Sequence, residues 1–193
     1  MPTPSLTLVV VVAAAVLLVA WYLTFSATRL DRLHARLEGA RNALDAQLVR
    51  RASVSLQIAV SGRLDPATGL LLADAAHEAR EAEPADREGA ESDLTRALHA
   101  ALAQPGATKP FEADAAGREL LHELGAACLR VQLSRRFLNE VVRAARLVRG
   151  KKVVRYLRLA GHAPWPATVE FDDTPPEPLQ GPVPGDVTYL RGP

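Results

Sequence analysis

Leu6 to Phe25 reads LTLVVVVAAAVLLVAWYLTF, twenty residues without a charge. No other feature restricts the chain as much. A helix of that length rises about 30 Å, the thickness of a bilayer's hydrocarbon layer. Trp21 and Tyr22 stand near its C-terminal end, where amphipathic rings favour the headgroup region. A cleaved leader fits poorly. No Lys or Arg precedes the run, the apolar stretch is too long, and no small-x-small site follows. Arg29, Arg32, Arg36 and Arg41 follow the run, whereas MPTPS precedes it. Positive flanks stay on the cytoplasmic side. The expectation is therefore a single-pass anchor over 6–25 in the inner or plasma membrane, with 1–5 outside and the bulk cytoplasmic.

What remains reads as all-α. Hydrophobic residues are 48% of the chain but aromatics only 5%, a composition suited to Ala/Leu/Val helix packing. From Ser26 to about Ser61 there is no proline, and Leu30, Leu33, Leu37, Ala40, Leu44 and Leu48 recur at three- and four-residue steps. This helix continues straight out of the membrane. Gly62 ends it, Asp65 is placed as an N-cap, and Pro66 as the first residue of a second helix over 66–82. A third helix spans 86–103 with Leu94, Leu98 and Leu102 on one face. After the loop QPGATKP a fourth starts near Phe111 and ends at Gly150. Leu120, Leu124, Ala127, Val131, Ser134, Leu138, Val141, Ala145 and Val148 give it the heptad seam of a bundle or coiled coil. The expected architecture is an antiparallel, elongated four-helix bundle over 26–149, a basic amphipathic segment over 150–162, and a Pro-rich disordered C-terminal tail over 163–193.

The run Leu44-Asp45-Ala46-Gln47-Leu48-Val49-Arg50-Arg51 is similar to one in the LemA family of single-pass bacterial membrane proteins. Glu123-Leu124 followed by Val131, Arg135, Asn139 and Val142 resembles that family's late helix, and the order of elements matches over 26–162. Arg41, Ala52, Leu56 and Leu138 depart from the family pattern, which marks a divergent member. The resemblance implies a helical bundle on a membrane anchor and brings no established catalytic activity with it.

Candidate chemistry is sparse. One cysteine, Cys128, excludes an intramolecular disulfide framework and a Cys-based zinc cluster, and it reads as a small buried hydrophobe. Glu119-x-x-His122 has the spacing of a di-iron ligand pair, and Asp74-x-x-His77 nearly repeats it on another helix. Metal ligands in a bundle project inward, whereas the seam puts His122 outermost and Glu119 off it. A metal-dependent enzyme using these four residues is thus the alternative. The preferred reading has no catalysis and no cofactor. Arg135 and Asn139 share a face, one turn apart, and fit either a partner contact or a solvated surface.

Charge is segregated although the net is only +1. Asp74 to Asp93 is acidic and Arg130 to Arg158 basic. On a helical projection Lys151, Lys152, Arg155 and Arg158 share one arc, opposite Val153, Val154, Leu157 and Ala160. With Arg143, Arg146, Arg149 and Trp165 they form a candidate surface for anionic lipid at the inner leaflet. A protein partner through the bundle is a further expectation. Nucleic acid is not, because aromatic residues are not interleaved with the basic ones and the acidic stretch repels phosphate.

Overall fold

The computed structural model of the chain describes residues 4–150 and 165–180. The described residues are helical or irregular, with no strand among them. The first helix, α1, runs unbroken from Pro4 to Val60. It joins the apolar run to the amphipathic stretch because nothing between them breaks a helix: Pro4 is the only proline and Gly39 the only glycine. Leu37, Ala40, Leu44 and Leu48 are buried along it, as their spacing predicts, and the face continues through Ala52, Ser55 and Ile58. Side chains 8–22 are all exposed. Among the described residues no helix is long and apolar enough to cross a membrane.

Gly62, at φ +70°, turns the chain after α1. Helix α2 spans Pro66–Glu81; its N-cap Asp65 accepts a hydrogen bond from the Thr68 backbone N–H at 3.1 Å. Helix α3 spans Arg87–Leu102 and buries Leu94, Leu98 and Leu102. The helix expected to begin near Phe111 is split. A single turn, α4 (Lys109–Glu112), buries Phe111, and the long helix α5 covers Ala115–Arg149. Asp114 causes the break: its carboxylate accepts the Gly117 N–H at 2.7 Å, capping α5 anew. Gly117 permits it. A Cβ there would stand 2.1 Å from the Phe111 carbonyl oxygen.

The described residues group into two compact units. One combines α1 up to Ala40 with α5 from Asn139 and with 165–168. Leu37, Ala40, Asn139, Val142 and Ala145 are buried in it, and Arg146 Nε donates to the Pro166 carbonyl at 2.8 Å. The other combines 41–138 with 169–180. Its core joins Val54, Ile58, Leu72, Leu94, Leu98, Leu102, Phe111 and Leu124. Leu124, Ala127, Val131, Leu138 and Ala145 of the expected α5 seam are buried. Val142 rather than Val141 continues it, because an α-helix turns every 3.6 residues and drifts from a strict seven-residue repeat.

The tail differs from expectation. Its described part, 165–180, is irregular, as the prolines require, with one 3₁₀ turn at Glu177–Leu179; 163–164 and 181–193 lie outside the described residues. Residues 165–180 are nonetheless not disordered: Phe171 and Asp173 are buried. The reason is specific side-chain partners, described next.

Candidate functional site

The most unusual group lies within the second unit. Arg51 on α1 retains 1% of its side-chain exposure and Glu91 on α3 retains none. Arg51 stands at a core position because it follows Leu44 and Leu48 on the same helical face. Its Nη2 donates to Glu91 Oε2 at 2.6 Å and to the Glu91 carbonyl at 3.1 Å, while Nη1 donates to the Thr95 hydroxyl at 3.1 Å. Arg51 Nε and Glu91 Oε1 have no hydrogen-bond partner. Burial pushes the Glu91 carboxyl above the ordinary range, and Arg51 only partly opposes it. Burial also pushes the Cys128 thiol up. Buried and protonated, that thiol packs as the small hydrophobe its sequence suggests.

The segment 169–180 is laid against this group. The Phe171 ring centroid is 5.9 Å from the Arg51 guanidinium carbon and 5.6 Å from that of Arg135 on α5. Both distances suit a cation–π contact. Asp173 takes Arg135 in a fork, at 2.7 Å from Nε and 3.0 Å from Nη2. Glu170 adds a carboxylate 3.5 Å from Arg135 Nη1. That fork raises the Arg135 pKa further above its usual value.

Backbone groups of the segment are held as well. The Glu170 N–H donates to Glu88 Oε1 at 3.2 Å and the Asp172 N–H to Ser92 Oγ at 3.1 Å. Thr95 Oγ1 donates to the Asp172 carbonyl at 2.6 Å, and Gln132 Nε2 to that of Asp173 at 3.0 Å. His99 Nε2 lies 2.9 Å from the Thr174 carbonyl. Glu88, Ser92, Thr95 and His99 fall at three- and four-residue steps, so one face of α3 holds the backbone of Glu170, Asp172 and Thr174. Chemically, α3 and α5 form a seat for an extended peptide carrying an aromatic residue and, two positions on, a carboxylate.

Sequence reasoning reached part of this. Arg135 has a partner rather than a solvated position, and the partner is the chain's own tail. Arg51, Glu91, Phe171 and Asp173 were not anticipated. Glu91 sits in an acidic stretch that reads as a solvated face. The triplet Phe171-Asp172-Asp173 was an available signal, as an aromatic and acids set among prolines.

The expected site residues are placed as follows. Trp21 and Tyr22 are exposed on α1, and Trp21 stacks on Phe25 with centroids 6.0 Å apart. Arg143 and Arg146 are exposed on α5, Arg149 is its last residue, and Trp165 is exposed. Lys151, Lys152, Arg155 and Arg158 lie outside the described residues. Glu119, His122, Asp74 and His77 are exposed, and His77 Nε2 is 3.3 Å from Glu81 Oε2. Among the described residues no three His, Cys, Asp or Glu side chains are grouped to hold a metal ion. No family, curated protein or solved structure matches the chain.

Proposed function

We propose that the chain is a LemA-like, single-pass membrane protein whose helical bundle acts in membrane-associated assembly or envelope maintenance, without catalysis. One observation carries this reading: α1 is a single helix from Pro4 to Val60. The uncharged run 6–25 and the apolar face that starts at Leu37 therefore lie on one continuous helix, so a bilayer-inserted segment would lead directly into packed chain. An anchor helix that leads into a packed bundle supports an assembly role.

In this reading 6–25 spans the inner membrane, with the N-terminus outside and the bundle cytoplasmic. Arg143, Arg146, Arg149, Lys151, Lys152, Arg155 and Arg158, with Trp165, meet anionic lipid. The grouping of α5 from Asn139 with α1 up to Ala40 supports it, because it brings the basic end of α5 beside the membrane-proximal half of α1. Each basic residue near an anionic surface contributes about 1 kcal/mol.

The full chain should stay in the membrane pellet through an alkaline wash. The double variant Val11→Arg/Val16→Arg should be released, since each central Arg costs about 2.5 kcal/mol or more on insertion. Release of the parent chain by alkali would defeat the proposal. Fluorescence of a probe near Trp165 in reconstituted vesicles should respond to phosphatidylglycerol and weaken with salt. Equal response to neutral lipid would remove the lipid-surface part alone.

A further inference from the structure

Helix α5 is apolar on two faces. One packs inward through Leu124, Val131 and Leu138. The other points away from that core and carries Leu129, Leu133 and Phe137, exposed at 50%, 54% and 56%. The three fall at i, i+4 and i+8, so they form one continuous stripe rather than scattered surface residues. Exposed Arg130 and Arg136 flank it on either side. Among the described residues neither arginine has an ion-pair partner in the acidic stretch 74–93.

Helix α2 shows the complementary pattern. Leu70 and Leu71 are exposed at 72% and 69% in its first turns. The same outward face continues through Asp74, Glu78 and Glu81, all exposed. Glu78 and Glu81 also line a groove of about 630 Å³ that reaches Asp86 and Asp93 on the α3 side. One chain thus exposes an apolar stripe edged by arginines and an apolar patch edged by carboxylates.

We propose that the α5 stripe of one copy docks on the α2 face of a second copy. The leucines and Phe137 supply the buried centre, and Arg130 and Arg136 reach Glu78, Glu81 and the acidic groove. The symmetric alternative, α5 on α5, sets Arg130 and Arg136 against their own counterparts with the exposed Glu140, one turn on from Arg136, as the one nearby carboxylate, whereas α2 offers Asp74, Glu78 and Glu81. A contact between two different faces is heterologous, so copies add head to tail, into a ring or an open chain. The inference concerns the bundle surface alone, and its failure leaves the membrane reading standing.

The test uses two differently tagged full-length chains made together. Leu133→Cys in one and Asp74→Cys in the other should give a mixed disulfide dimer on mild oxidation, while Leu133→Cys alone gives none with itself. Cys128 is buried and adds no background. A chain carrying both cysteines should give a ladder beyond the dimer. Arg130→Glu/Arg136→Glu in every copy should lower the mixed yield several-fold, and adding Glu78→Arg/Glu81→Arg should restore it. All four positions are exposed, so the fold is retained. Self-crosslinking of Leu133→Cys, or no rescue by the charge exchange, would overturn the proposal. So would labelling of Leu133→Cys by a bilayer-resident probe without any mixed dimer, which assigns the stripe to lipid instead.

Discussion

Arg51 and Glu91 show how a single pair can restrict a helical core. Two charges removed from water regain little net free energy from each other, but each is costly alone. Glu91→Gln should therefore destabilise the full chain by about 3–5 kcal/mol, because it leaves the Arg51 charge buried without its counterion. The double variant Arg51→Met/Glu91→Leu should recover most of that loss in a denaturant titration. If the double variant is as unstable as the single one, the pair does more than balance charge. Three surface carboxyls act differently. Asp65, Asp114 and Asp172 are all held below the ordinary range, chiefly by N–H or hydroxyl donors of Thr68, Gly117 and Thr174. A folded-state pKa below the unfolded value stabilises above the unfolded value, about 3.9, and that contribution disappears as pH falls through the folded one. Melting temperature should drop steeply below about pH 4, and less steeply in Asp114→Asn.

The helices were readable because their punctuation is local. Asp65-Pro66 and Gly62 fix the turn into α2 by chemistry that needs no tertiary information, and the α5 seam follows from apolar spacing. The split at Asp114 was not readable, because it depends on Phe111 being drawn into the core and its carbonyl passing over Gly117. Gly117→Ala should then cost about 1–3 kcal/mol, since backbone rather than a flexible side chain must move. Unchanged stability would contradict the close approach. Val131→Asp places a charge in the seam and should abolish the cooperative melt. The segment 169–180 was the least readable element. Prolines advertise irregular chain, and only long-range partners on α3 and α5 reveal that it is seated. Phe171→Ala should speed amide exchange of 169–180 while leaving Leu94 and Leu98 protected. Parallel acceleration in α3 would mean that the segment is part of the core rather than laid upon it.

For the molecule as a whole, one long helix carries the account. The uncharged run 6–25 and the basic residues that follow it set the expected position of everything after residue 26. The candidate seat was legible only as Arg135 on a helix face, because its partners are more than thirty residues apart in the chain. The proposed membrane attachment, in contrast, rests on contiguous residues and on charge at one flank. The most direct measurement compares two reporters fused after Pro193 in the intact chain, one active only in the cytoplasm and one active only after export. The account predicts activity of the cytoplasmic reporter alone, reversing when Arg29, Arg32, Arg36 and Arg41 are replaced by Gln and three lysines are added before Leu6. Activity of the exported reporter on the unaltered chain would contradict it.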